Sequence, residues 1–356
     1  MKKSPTTTRA RVEALVRFLC SPLCAGRAPD SPEGRAARAR IVEEFTAIGA
    51  APGGEDGYLQ PVPRCGANVL AEIPGSGPLA DRTIVLAAHY DHLGKLRGGQ
   101  AYWGADDNAA AVAILVEVGR KLVADAQPGR RVVLAAYDGE EQPHFMHGTM
   151  GSMYHVAHPT APLENIDMMV CMDLCGHAIG PAGLPASVRD SLFVLGAELS
   201  DGTAALVDAA ARPNGVVPRR IDLDLLPPLS DYYAFREAGV PVLFLTCGRW
   251  EHYHQITDTP DRLDYRKIVA TVDYLADLAR RLRERPGPVR LQSSARDDAS
   301  TIASLRALAA ALAPFAPPAA EAMRQLGALA AAVPLTPARR QQLSTMVHAL
   351  EHALAG

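Results

Sequence analysis

Four short apolar runs constrain this chain more than any other feature: 83–88 (TIVLAA), 132–137 (VVLAAY), 168–174 (MMVCMDL) and 240–246 (VPVLFLT). A strand with one wet face alternates apolar and polar residues. A strand apolar on both faces has helices packed on either side, the condition of a parallel sheet. Segment 108–124 (NAAAVAILVEVGRKLVA) reads as a helix between the first two runs. The alternation predicts an α/β three-layer sandwich with a mixed, mostly parallel central sheet covered by helices.

Helices are also expected at 9–19, 34–49, 185–200 and 260–284, with Asp30 or Ser31 capping the second and Pro32 in its first turn. An extended stretch at 68–73 ends at the turn signal Pro74-Gly75. The polar segment 285–300 reads as a linker between a catalytic domain, 1–284, and an Ala/Leu-rich helical extension, 301–356. Within that extension Ile302, Leu305, Leu308 and Leu312, then Leu343, Val347, Leu350 and Leu354, recur at helical spacing. Such a stripe serves either as a cap on the main domain or as a pairing surface for a homo-oligomer or partner.

Composition removes other function classes. A net charge of −3 and an aromatic share of 5% supply neither the basic surface nor the stacking platform that nucleic-acid partners require. Arg17 interrupts the first apolar stretch, so neither a signal peptide nor a membrane span is expected, and the chain is assigned to the cytoplasm. Cys20, Cys24, Cys65, Cys171, Cys175 and Cys247 form no C-x-x-C pair and read as buried thiols in a reducing compartment.

In an open α/β sheet, ligands gather beyond the carboxyl ends of the strands. The first run is followed by His89-Tyr90-Asp91-His92 and the second by Asp138-Gly139-Glu140-Glu141. The third ends in Asp173, the fourth leads to His252-Tyr253-His254, and Gly104-Ala105-Asp106-Asp107-Asn108 opens the helix between the first two. Each motif alone has a plainer reading: a capping pair, a solvated Glu-Glu doublet or a helix N-cap. Together they place an imidazole or carboxylate at every strand end. Two histidines and three carboxylates drawn from these motifs, with no thiolate, suit a catalytic zinc site, one or two ions in size, and a spare glutamate beside a ligand glutamate can take a proton.

The order H-Y-D, G-A-D-D-N-A, G-E-E, M-D-L and Y-H-x-x-x-D-T resembles the co-catalytic, two-zinc aminopeptidase family, which also contains glutamate carboxypeptidase and glutaminyl cyclases. The resemblance spans about residues 12–275, including S-P-L-C-A-G-R and N-V-L-A-E-I-P-G. It implies that His89 and Asp173 hold one zinc, Glu141 and His254 a second, and that Asp106 bridges them. It implies Glu140 as general base, Asp91 as the partner orienting His89, and a cis peptide between Asp106 and Asp107. The implied activity is that of a metal-dependent exopeptidase hydrolysing an amide bond of a peptide or small amide with a zinc-bound water. A glutaminyl cyclase-like acyltransferase with one zinc is the alternative, and a non-catalytic binding protein the third.

The chain departs from the family pattern in two places. Residues 142–150 (QPHFMHGTM) lengthen the loop before Gly151-Ser152, with His144 and His147 read as loop residues. Ser230-Asp231-Tyr232 replaces a usual Ser-Asp-His. His92, His155, His158, His177, His348 and His352 are read as non-ligands, and His252 as a rim residue.

Overall fold

The computed structural model describes residues 7–125, 127–315 and 318–355. Nine strands form one sheet: β1 (Ala51–Pro52), β2 (Leu59–Val62), β3 (Gly66–Ile73), β4 (Thr83–His89), β5 (Arg131–Tyr137), β6 (Ile166–Met172), β7 (Ser191–Leu195), β8 (Val217–Ile221) and β9 (Val242–Thr246). The order is β1-β3-β5-β4-β6-β9-β7-β8, with β2 also paired to β3. The four expected runs sit side by side as β5-β4-β6-β9, all parallel. Antiparallel pairs join this block to β3 on one side and β7 on the other.

The longer helices are α1 (Thr8–Leu19), α2 (Pro32–Ile48) and α3 (Ala110–Val123). Short helices follow as α4 (Gly151–Ala157), α5 (Ala186–Arg189), α6 (Thr203–Ala209) and α7 (Tyr232–Glu237). Long ones close the chain: α8 (Tyr265–Glu284), α9 (Asp298–Leu312), α10 (Pro318–Ala330) and α11 (Pro337–Ala355). Ser31 caps α2 through its side chain, with Pro32 as first helical residue and Gly49 in the left-handed region at its end.

Alternate residues of the central strands feed two cores, one on each face of the sheet. Ile84, Leu86, Met168 and Val170 join α1, α2, α3 and α8 in the first. Val85, Ala87, Met169 and Cys171 join α7, α9, α10 and α11 in the second. Leu305, Leu326, Leu343 and Val347 of the C-terminal helices therefore join the second core, while Leu308, Leu312 and Leu354 join the first. Segment 285–300 is pinned there as well: the Val289 N–H donates to Asp167 and the Gln292 N–H to the Leu199 carbonyl. Arg340 of α11 ion-pairs with Asp222 and Asp298, and Ser344 Oγ donates to the Leu225 carbonyl at 2.9 Å.

The helix expected over 185–200 is a correction. Only α5 is α-helical there, with a 3-10 turn at Ala197–Leu199, and Ser191–Leu195 is strand β7, paired antiparallel to β9 and parallel to β8. Five residues carrying Leu, Phe and Val suit a half-buried strand, and tertiary pairing decides between the two states. All six cysteines are buried and unpaired. Among the described residues no helix is long and apolar enough to cross a membrane.

Candidate metal centre

All donor groups but one follow the end of a parallel strand. His89 closes β4, with Asp91 and His92 in the turn beyond it. Glu140 and Glu141 follow β5, Asp173 follows β6, and His254 lies in the loop after β9 with a φ of 56°. The last donor comes from the turn 105–109 ahead of α3, entered through Gly104 at a φ of 57°. A side chain at Gly104 would strike the Asp107 carbonyl, Arg27 and His92, so only glycine lets this turn close down.

Asp107 sits at the centre. Its Oδ1 lies 3.3 Å from His89 Nε2, which is also 3.5 Å from Asp173 Oδ1. Its Oδ2 lies 3.2 Å from His254 Nε2, which is 3.2 Å from Glu141 Oε2. One carboxylate thus offers an oxygen to each of two donor groups. The structure brings together His89, Glu141, Asp173 and His254 as expected, but the carboxylate that stands between the two pairs is that of Asp107 and not of Asp106. Consecutive side chains in a tight turn leave on different sides. The Asp106 carboxylate instead accepts from the Gly176 N–H at 2.6 Å and lies 2.7 Å from His177 Nδ1. The cis peptide is displaced in step: it joins Asp107 to Asn108 rather than Asp106 to Asp107.

Three residues beyond the expected set complete the surroundings. His92 Nδ1 is 2.9 Å from Glu141 Oε1, so this imidazole joins Asp107 and Glu141 in one of the two groups of donors close enough to share an ion. Its position three residues after His89, in the same short turn, is the signal that marks it. Asp258 accepts from the backbone N–H groups of Asp106 and Asp107, bracing the turn from beneath. Arg27, fully buried, donates to five backbone carbonyls, those of Leu19, Tyr90, Trp103, Gly104 and Asp107. It ties the His89 turn to the Asp107 turn.

Asp91 does more than face His89, whose Nδ1 is 3.5 Å away. Its two oxygens accept from the Glu140 and Glu141 N–H groups at 3.0 and 3.1 Å, fixing both glutamates relative to His89. Glu140 Oε2 lies 3.9 Å from His89 Nε2 on the cavity side. Burial, joined by the charges of Asp173 and Glu141, holds the Glu140 carboxyl well above the usual range despite the opposing pull of His89. Burial would depress His254, but Asp107 and Glu141 outweigh it and push the imidazole up to about 10.

The remaining histidines stand apart. His144 hydrogen-bonds Thr149 within its own loop, His155 is buried beside Tyr137, and His177 stacks on Trp250. His252 faces Thr257 at 3.0 Å. Asp231 is wholly buried behind the site, and burial raises its carboxyl to about 7.

The donor set fits divalent zinc. Both nitrogens of His89, His92 Nε2, Asp107 Oδ2 and Asp173 Oδ1 are buried without a hydrogen bond. Unpartnered buried polar atoms cost about 1–3 kcal/mol each, more when charged. Imidazoles and carboxylates with no thiolate are the ligands of catalytic zinc sites.

Comparison with known proteins agrees with this chemistry. The E. coli (strain K12) protein YfbL, uncharacterised, is 28% identical over 297 residues, covering 76% of this chain and 88% of its own. The fold is similar to that of the LapA aminopeptidase of Legionella pneumophila, with a TM-score of 0.63, 15% identity, and 78% and 72% of the two chains covered. It is also similar to that of Porphyromonas gingivalis glutaminyl cyclase, with a TM-score of 0.57, 16% identity, and 77% and 98% covered. The family model described as Peptidase family M28 matches residues 68–279, the stretch that holds every donor at the centre. The chain belongs to peptidase family M28.

Proposed function

We propose that this protein is a two-zinc exopeptidase of the aminopeptidase type, cleaving an amide bond of a peptide or small amide. The observation that carries the reading is Asp107, which turns one carboxylate oxygen toward His89 and Asp173 and the other toward His254 and Glu141. His89 and Asp173 would hold one ion, Glu141 and His254 the other, with Asp107 shared and His92 alongside. Zinc held by these residues would supply Lewis-acid polarisation of the scissile carbonyl and an acidified water, its pKa lowered from about 15.7 to about 7.

The chain's own groups supply the rest. Glu140 borders the cavity, with Oε2 3.9 Å from His89 Nε2, which places it to accept a proton at Oε2 and return it to the leaving amine. Asp91 keeps Glu140 in reach by holding its backbone N–H. The six unpaired, buried thiols suit the reducing cytoplasm.

The test is zinc analysis of the purified protein together with turnover of a panel of aminoacyl p-nitroanilides. Two zinc ions per chain and release of p-nitroaniline are expected. One zinc ion, with cyclisation of an N-terminal glutamine peptide, would replace this reading by the acyltransferase one.

A further inference from the structure

The donor centre is not a shallow patch. A cavity of about 90 Å³ opens on Asp107, Glu140, Asp173 and His254 and runs from them beneath α11. One water needs about 10–15 Å³ measured this way, so the space holds roughly half a dozen non-hydrogen atoms, the size of a leucine or phenylalanine side chain. Leu305 of α9 and Val347, Leu350 and Leu354 of α11 line it, together with Phe193 and Phe244 of the sheet. The charged pair Arg249 and Glu351, 4.0 Å apart, also lines it, while the aliphatic residues of α11 face the interior.

Helix α11 lies outside the residues that the family model matches. It is nevertheless fixed in place, by Arg340 on Asp222 and Asp298 and by Ser344 on Leu225. Its i, i+3, i+7 row at 347, 350 and 354 falls on one helix face.

We propose that the C-terminal helices are the specificity element of this enzyme. In this assignment Val347, Leu350 and Leu354 wall a chamber that selects substrates with a bulky apolar side chain next to the cleaved amide. The proposal rests on the aminopeptidase reading for the identity of that amide, but not for the existence of the chamber. An apolar pocket discriminates by about 10–200-fold per methylene. A leucine or phenylalanine group should therefore exceed alanine by roughly 10²-fold or more.

Binding separates the two ideas. Isothermal titration of the zinc-loaded full chain with L-phenylalaninol and L-alaninol needs no turnover. Phenylalaninol should bind at least about tenfold more tightly. Leu350→Trp, which fills the chamber, should abolish that preference. Leu354→Ala, at the end of the helix where misfolding is least expected, should shift it toward the larger ligand. Equal affinities in the wild type, or a preference unchanged in folded, zinc-loaded Leu354→Ala and Leu350→Trp, would overturn the proposal. Failure of the wild type to cleave any aminoacyl p-nitroanilide, with the binding preference intact, would sink the aminopeptidase reading instead and leave the chamber standing.

Discussion

Strand β6 carries an aspartate near each end, and the two have opposite surroundings. Asp167, at the start, ion-pairs with Arg82 and Arg130 and accepts from the Val289 N–H. Burial opposes its charge, but those donors outweigh it and hold its carboxyl below the usual range. Asp173, just past the other end, faces His89 and is left with an unpartnered Oδ1. Burial and the nearby charge of Asp107 raise its carboxyl, against the pull of His89. Both carboxylates are buried. A buried acid answered by guanidinium and amide groups is structure; one left among imidazoles and other acids is arranged for a cation.

Three experiments test that contrast. The largest effect is expected at the metal end. Asp107→Asn should abolish both zinc binding and turnover, whereas Asp106→Asn should keep zinc. Glu140→Gln should keep zinc and lower kcat by roughly 10²–10⁴-fold. Zinc-to-protein ratios and single-substrate kinetics on the same samples check all three. Zinc loss in Asp106→Asn but not in Asp107→Asn would reverse the assignment.

Next comes the answered end. Asp167→Asn removes the charge that partners Arg130, itself fully buried, and should cost about 3–5 kcal/mol in urea unfolding while leaving zinc content unchanged. In metal-free protein Asp173→Asn should cost nothing or raise stability, because it removes a buried charge whose Oδ1 has no hydrogen-bond partner. A matching loss at both positions would erase the distinction.

The smallest effect is at His155, which burial lowers from 6.5 to about 4. A histidine depressed on folding is neutral in the native state and takes up a proton on unfolding. Its contribution is therefore complete above pH 6.5 and lost as pH falls toward 4, by up to about 3 kcal/mol at 1.36 kcal/mol per unit. Glu198, raised to about 7 mainly by burial, works in the opposite direction, losing stability as pH rises from 4.5 to 7. The readout is consequently the difference between wild type and His155→Gln across pH 4–7. Parallel curves would refute the assignment.

Much of this architecture can be read from residues alone, for reasons the structure makes plain. The central strands announce themselves because both faces are covered, and four of the five expected metal donors lie at strand ends, where chain direction leaves few alternatives. The bridging aspartate was harder. Asp106 and Asp107 are chemically identical neighbours, and only the path of the turn, set by Gly104 and Asp258, decides which carboxylate enters the centre. Strand β7 was hidden because five residues carry little periodicity. His92 was hidden because its meaning depends on where Glu141 lies, 49 residues away. The Ala/Leu-rich tail shows its helices but not its target: a stripe of leucines has the same pattern whether it caps a core, pairs with a twin or walls a cavity.

Arg27 has a consequence for the order of assembly. It leaves the ribosome some eighty residues before Asp107, whose carbonyl it holds, and sixty-three before Tyr90. Until both later segments exist its guanidinium can only remain hydrated. The ties from Arg27 to the turns at His89 and Asp107 form only once all three segments have met. The cation-binding end is thus tied to long-range closure of the chain, with a residue that precedes both turns serving as their latch.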